Sequence, residues 1–482
     1  MPLTLALPDG DHPLHRRLYL GLRDAILDGR LGEGSALPSS RALALHLGLA
    51  RNTVLAAYDQ LAAEGFTEAR RGSATRVSAR QRPVGAPSAD AAAPPSALPS
   101  RTVEWSAAPP PTQGRDPSRP FAPGVPDLAA FPHAEWRRVL GRLWRRAPVE
   151  LMCGIDPLGY LPLRRAIAAH LGRHRAVRCT ADQVMIVGGS QQALDLVARV
   201  LLEPGDRVLV EDPCYGGQAG VLRAAGAVGI PVAVDAEGFD PERAERICPQ
   251  SKMAFVTPSH QFPTGATMPL PRRLALIDWA ARKGGWIIED DYDSDFRHAG
   301  PPTASLQGLD RAGRTVYLGT FSKSMFPGLR LGWLVLPPPL IPAFVTARRV
   351  ADMAPAGLTQ AAMAAFMEEG HFGAHLRRMR AVYGKRRRDL LAAAARILGP
   401  HLPVTAGEAG LHAILWLPEG TDDIRAAEAA RAQGLAPTPL SVHCVTKGPP
   451  GLILGYGNLA GWSLIEALTR LESAIIPLIQ HA

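Results

Sequence analysis

Apolar residues change their spacing along this chain, and each spacing predicts a different kind of structure. Near the amino terminus, "LHRRLYLGLRDAILDGRL" places Leu18, Leu22, Ile26 and Leu27 at helical spacing, and Gly29, Gly32 and Gly34 stop the helix. In "LPSSRALALHLGLARNTVLAAYDQLAAEGF", Ser39 or Ser40 caps a short helix whose inner face is Leu43 and Leu47, and Gly48 supplies a tight turn. A second helix then begins near Arg51 and buries Val54, Tyr58 and Leu61. Short helices joined through a glycine turn form the helix-turn-helix pattern, in which the second helix enters a major groove. After it, "FTEARRGSATRVS" predicts two short strands around Arg71-Gly72-Ser73, in the manner of a wing.

From about Ala79 to Ser118 the periodicity vanishes into proline, alanine and serine, which predicts a solvated, semi-extended linker. Beyond it, apolar runs alternate with helical stretches: Gln183 to Val187, Arg207 to Val210, Gly229 to Val234, Met253 to Val256, Gly285 to Ile288, Thr315 to Leu318 and Leu331 to Leu336. Seven buried strands separated by helices predict a mostly parallel sheet covered on both faces. The expected organisation is a winged helix-turn-helix module at 1–78, a linker at 79–118 and an α/β domain at 119–482.

Composition narrows this picture. A chain of 482 residues exceeds one ordinary core, and 46% hydrophobic content is that of a globular protein. No run of about 18 apolar residues occurs, and the amino terminus lacks the charged-then-apolar order of a signal peptide, so a cytoplasmic protein without membrane contact is expected. Cys153, Cys179, Cys214, Cys248 and Cys444 are odd in number and scattered, which argues against a disulfide framework and against a metal site. The net charge of +9 permits a polyanionic partner. Arg41, Arg51, Asn52, Thr53 and Arg71 fall at helix starts and at the wing tip, where they suit phosphates and base edges. Periodicity alone leaves a small protein-interaction module equally open.

Of the 53 basic residues only Lys252, Lys283, Lys323, Lys385 and Lys447 are lysines, so Lys323 in "GTFSKSMFPGLRLGW" invites a role that arginine cannot fill. An amine can lose its proton and form a Schiff base with an aldehyde; a guanidinium cannot. A plain surface lysine is the competing reading. Ligands of such sheets sit beyond the carboxyl ends of the strands, where this sequence places Gly188-Gly189-Ser190-Gln191, Glu211-Asp212, Thr257-Pro258, Asp290-Asp291-Tyr292 and Gly319-Thr320. For an aromatic aldehyde phosphate each has a use. The amides and hydroxyl at Ser190, with Gln191, Thr320 and Arg330, cradle phosphate; Asp290 pairs with a ring nitrogen; Tyr292 bonds the phenolic oxygen; Tyr215 stacks on the ring.

"LPSSRALALHLGLARNTVLAAYDQLAAEGF" with "RRGSATRV" resembles the winged helix of the GntR superfamily of bacterial regulators over about residues 12–78. "VEDPCY", "FVTPSHQFPTG", "IIEDDYDSDFRH" and "GTFSKSMFPGLRLGW" resemble, in order and spacing, the fold-type I aminotransferase domain that follows such a winged helix in MocR and GabR-type regulators. The resemblance implies a multidomain fold: a winged helix-turn-helix, then an α/β aminotransferase-like domain with a seven-stranded mostly parallel sheet and a smaller carboxyl-terminal domain. It also implies pyridoxal 5′-phosphate on Lys323, a bacterial cytoplasmic homodimer with each winged helix docked on its partner's large domain, and double-stranded operator DNA as partner. The function it implies is a regulator sensing an amine or amino-acid-like effector through aldimine exchange at Lys323. An active aminotransferase carrying a DNA-binding domain, or a regulator that has lost its cofactor, are the other readings. Three departures argue against efficient turnover: Ile453 in "GLILGYGNL" stands where enzymes keep a carboxylate-binding arginine, Phe262 replaces the "NPTG" asparagine, and Gly154 stands where many relatives carry tyrosine. Arg348 or Arg349 is the candidate substitute anchor.

Overall fold

The computed structural model describes residues 12–68, 74–78, 116, 118–300, 303–459 and 461–479. The chain divides into two compact units, Met1–Leu98 and Pro99–Ala482.

In the first unit, α1 (Leu14–Leu27), α2 (Ser40–Leu47) and α3 (Arg51–Ala63) surround a core of Leu18, Leu22, Leu43, Val54, Ala57 and Leu61. Ser39 is the residue that caps α2, its hydroxyl accepting from the Ala42 N–H at 3.2 Å. Gly48 closes α2 in the left-handed region at φ 66°. The inner face of α1 is rotated from the expected one: Tyr19 and Ala25 join Leu18 and Leu22 in the core, Ile26 is half-buried and Leu27 is exposed. Leu47 is likewise only half-buried. The Tyr58 hydroxyl donates to the Pro38 carbonyl at 2.8 Å and fixes α3 to the loop before α2. Strands β1 (Thr67–Glu68) and β2 (Arg76–Val77) pair antiparallel, Thr67 opposite Val77. Arg71 and nearly all of the linker lie outside the described residues.

The second unit is built on seven strands: β3 (Val184–Val187), β4 (Arg207–Asp212), β5 (Val228–Ala233), β6 (Met253–Val256), β7 (Trp286–Asp291), β8 (Thr315–Thr320) and β9 (Gly332–Val335). Their order is β3-β9-β8-β7-β6-β4-β5, with β9 alone running antiparallel to its neighbours. Successive β3 side chains serve opposite cores, Val184 and Ile186 one, Met185 and Val187 the other. That two-sided burial is why six of the strands read as apolar runs; the edge strand β5, expected to be buried, has only Val232 buried.

Three strands extend beyond those runs. β4, β7 and β8 continue through Asp212, Asp291 and Thr320, with Asp212 opposite Ala233, Asp290 opposite Leu318 and Asp291 opposite Gly319. The acidic residues expected beyond the strands are therefore their last rungs.

A smaller antiparallel sheet, ordered β10-β11-β13-β12, follows. Its strands are β10 (Val404–Thr405), β11 (His412–Trp416), β12 (Thr438–Pro439) and β13 (Gly451–Gly455). Ala413, Leu415, Leu452 and Leu454 face a core shared with helices His371–Ile397 and Leu464–Ile479. Ile414 and Ile453 belong to a separate cluster on the other face. No described helix is long and apolar enough to cross a membrane.

A side chain at Gly48 would meet nothing within 4 Å, so its substitution tests backbone conformation alone. Gly48→Ala is expected to destabilise the first unit by about 1–2 kcal/mol, read as a lowered midpoint for its transition in thermal or urea unfolding.

Candidate cofactor site

The site assembles at the carboxyl ends of β7 and β8. Lys323 follows β8, and its Nζ donates to the Gly124 carbonyl at 2.9 Å. Gly124 has φ 75°, a conformation that favours glycine, and a Cβ there would lie 2.6 Å from that nitrogen and displace it.

β7 carries three consecutive buried acids. Glu289 accepts from the Leu306 and Gln307 N–H groups at 2.8 and 2.9 Å. Asp291 accepts from Arg175 Nε at 2.7 Å and from the Tyr317 hydroxyl at 2.5 Å. Asp290 Oδ1 is the one buried carboxylate oxygen without a hydrogen-bond partner among the described residues. Burial, then the charges of Asp291, Asp293 and Glu211, push its carboxyl up to about 7, while Lys323 opposes the shift. A buried acid in that state fits a cationic ring nitrogen.

Helix Ser190–Leu201 starts after Gly189, which has φ 108° and provides no side-chain cap, so first-turn N–H groups point into the turn. The Arg330 guanidinium comes to the same place: a Cβ on Gly189 would lie 3.3 Å from both of its terminal nitrogens. Arg330 itself adopts the left-handed region at φ 53°. Thr320 Oγ1 accepts from the Ser322 N–H at 3.1 Å. Helix amides, hydroxyls and a guanidinium around a glycine are the donor set for a phosphate. Gln191 turns away from the cradle instead, its amide donating to the Gly217 carbonyl at 3.1 Å, and the Tyr215 hydroxyl lies 3.5 Å from its oxygen. Lys323, Asp290 and this cradle fit pyridoxal 5′-phosphate.

Sequence reasoning passed over several residues here. His260 Nδ1 lies 2.9 Å from the Tyr292 hydroxyl and 3.0 Å from Asp293 Oδ2. His260 Nδ1 thus bridges Asp293 and the Tyr292 oxygen, and Tyr292 also hydrogen-bonds Asp293. His412 lies beside this pair, pushed down to about 4 by burial and hence neutral, with Nε2 2.9 Å from the Pro263 carbonyl. Atoms of His260, Asp293 and His412 approach within 4.8 Å of one another, and His260 Nε2 is buried there without a hydrogen-bond partner among the described residues. Glu211 and Asp212 also have structural duties. Glu211 accepts from Thr257 and Gln261; Asp212 accepts from the Val445 and Thr446 N–H groups at 2.8 and 3.0 Å, tying the large sheet to the small domain. A motif with a solitary histidine gives no local signal for such partners.

In the first unit, Arg41 is exposed on α2, Arg51 and Asn52 are exposed in the first turn of α3, and Thr53 is half-buried. Arg51 Nε donates to Ser40 Oγ at 3.4 Å, linking the starts of the two helices.

Known proteins match both units. Residues 14–77 match the model for bacterial regulatory proteins of the gntR family, and residues 146–449 that for aminotransferase class I and II. The whole chain is 38% identical to the probable rhizopine catabolism regulatory protein MocR of Rhizobium meliloti, over 98% of this chain and 95% of that one. The chain belongs to the MocR-type regulators of the GntR family. A further member, the regulator TauR of Rhodobacter capsulatus, is 36% identical over 97% of this chain and 98% of its own. Among solved structures, LysN, an α-aminoadipate aminotransferase of Thermus thermophilus complexed with N-(5′-phosphopyridoxyl)-L-leucine, superposes with a TM-score of 0.74. It is 28% identical, over 80% of this chain and 99% of that one.

The departures from the enzymes have definite places in this MocR-type chain. Ile453 is fully buried on β13. Gly154 is exposed at φ 120°, with open space where a side chain would stand. Arg348 is buried and bonded to Asp352 Oδ1 at 2.8 Å and Gln192 Oε1 at 2.8 Å, and Arg349 is exposed on the same helix, Ile341–Asp352.

Asp290 provides a pH test. A carboxyl whose folded pKa is raised resists ionisation, so its cost to the fold is absent below the ordinary 3.8, grows with pH and is complete above about 7. In cofactor-free protein, Asp290→Asn is expected to shift stability in the variant's favour across that window and no further above it, measured by thermal unfolding from acid to alkaline pH. The same substitution is expected to weaken cofactor retention on dialysis.

Proposed function

We propose that this protein is a transcriptional regulator that holds pyridoxal 5′-phosphate on Lys323, binds operator DNA through its winged helix and reports a small amine or amino-acid-like effector. The observation that carries the reading is the buried, unpartnered Asp290 Oδ1 next to Lys323, in a chain whose first unit is a GntR helix-turn-helix. When bound, the cofactor supplies an aldehyde for amines and a ring that withdraws electrons.

The residues divide the work. Asp290 holds a proton at the ring nitrogen, Tyr292 donates to the phenolic oxygen, and Tyr215 covers the ring. Ser190, Thr320 and Arg330 hold the phosphate, the last by charge. With the cofactor bound, Lys323 would hold its aldehyde carbon, and an effector amine that took that place would pass its two protons to the lysine nitrogen. In the DNA-binding unit, Arg51 and Asn52 face base edges from the start of α3, while Arg41, Thr53 and Arg71 hold phosphates. The functional form is a cytoplasmic homodimer. Trp144, Val149, Met152, Val350 and Met353 are exposed on the second unit, and burying them against a second copy removes apolar surface from water. Turnover as an aminotransferase is slow, because Ile453 provides no charge to orient an α-carboxylate.

Two outcomes are expected. Borohydride reduction of the yellow, full-length protein attaches the cofactor irreversibly to Lys323, as peptide mapping will detect; an adduct on Lys252 or Lys283, or none, overturns the assignment. Replacing Arg51 and Asn52 together with alanine lowers discrimination between operator and unrelated DNA by about 1–3 kcal/mol for each base no longer read. Footprints left unchanged by that double substitution remove the winged helix as the reader.

A further inference from the structure

The face of the small sheet that carries Ile453 lies behind Phe262, whose half-buried ring meets Tyr292. In β11 and β13, Ile414 pairs with Ile453 and His412 with Gly455, while the alternate residues turn into the main core. Ile453 has no exposed surface and clusters with Ile414 and Leu440, and Phe262 and Trp416 pack against that cluster. The Phe262 ring then meets four others edge-on: Tyr215 at 6.4 Å, Tyr292 at 5.9 Å, His412 at 5.5 Å and His443 at 5.0 Å between centroids. The position at which aminotransferases of this fold keep an arginine is thus filled by a branched alkyl group and roofed by an aromatic ring continuous with Tyr215 and Tyr292.

Nearby guanidinium groups are engaged elsewhere. Arg175 bonds Asp291 and the Thr303 carbonyl, Arg330 sits against Gly189, Arg348 bonds Asp352, and Arg386 bonds Asp127. His412 is neutral. A carboxylate pressed against this wall loses its water and gains no counter-charge, which is strongly unfavourable. We infer that the effector is a primary amine with no carboxylate on the carbon that bears the nitrogen, seated with its uncharged body against Phe262, which covers the Ile453 cluster. The inference rests on the amine-exchange reading and specifies its ligand class. The exchange balances within the site. The effector nitrogen bonds to the cofactor's aldehyde carbon as the Lys323 nitrogen leaves it, and two protons pass from the effector nitrogen to the lysine, with no oxidation or reduction.

Matched pairs that differ only in the carboxylate test this: phenethylamine with L-phenylalanine, isopentylamine with L-leucine, and cadaverine with L-lysine. Each is titrated into full-length, cofactor-loaded protein while the visible absorption of the bound cofactor is followed. The amine of at least one pair is expected to act at a concentration at least about tenfold below its amino acid, the scale of one charge-assisted contact. Ile453→Arg is expected to lower the midpoint for the amino acid of that pair by about tenfold to a hundredfold, without a matching gain for the amine. Amino acids acting at equal or lower concentrations than their amines on the wild-type protein overturn the inference and leave amine exchange standing. No response to any of the six removes amine exchange itself, and the inference with it. If Ile453→Arg fails to fold, as loss of cofactor absorption will reveal, the wild-type comparison decides alone.

Discussion

Three acidic residues in a row at the carboxyl end of an interior strand are a severe electrostatic constraint, and much of the large unit is arranged to satisfy it. Glu289 is satisfied by the backbone of the turn at Leu306 and Gln307, and burial still pushes it up to about 7. Asp291 is satisfied by Arg175, which also bonds the Thr303 carbonyl and Ser259, so one buried guanidinium fixes three segments around the strand end. Asp290 lies between them and keeps an oxygen unsatisfied. Its acidic neighbours add negative charge, which Lys323 offsets only in part. A buried site that is rigid and short of one cation is pre-organised for a cationic ring.

The same logic holds the two parts of the large unit together. Asp212, the last residue of β4, receives N–H groups from Val445 and Thr446 of the small domain, and the Cys214 N–H donates to the His443 carbonyl at 2.9 Å. Gly265 and Gly407 meet so closely that a Cβ on Gly407 would lie 2.5 Å from the Gly265 carbonyl. The apolar wall is therefore held in place by polar contacts beyond its edge. Ile453 and Phe262 face each other because hydrogen bonds at Asp212 and close packing at Gly265 leave the two elements little freedom to slide.

Strands buried on both faces were the most legible elements in the sequence, since β3, β4 and β6 to β9 stand out as apolar runs whatever their topology; the edge strand β5 reads the same way although only its Val232 is buried. The small sheet escaped that reading for the opposite reason. β10 and β12 are two residues long, and β11 and β13 divide their side chains between a deep core and a cleft. In α1 the helix was legible but its phase was not, because Tyr19 and Ala25 compete with Ile26 and Leu27 for the same interior. Within the candidate site, Lys323, Asp290 and the Gly189 turn were marked by unusual residue choice or by position at a strand end. His260, Asp293 and Gly124 acquire meaning only from contacts across 33 and 199 residues of chain, for which local sequence has no sign.

The carbonyl that receives Lys323 belongs to the stretch by which the chain enters the large unit. From Arg119 onward that stretch is fastened to the small domain: Asn458 donates to the Arg119 carbonyl, Ala436 to that of Pro120 at 2.9 Å, and Gly455 to that of Phe121 at 2.9 Å. Its next carbonyl contact, three residues on, is the lysine at Gly124. A lysine nitrogen drawn into a covalent bond loses its hold on Gly124, and one set free regains it. Under the proposed exchange, the chemical state of a single amine would decide whether Gly124 keeps its partner, in the segment by which the chain enters the large unit.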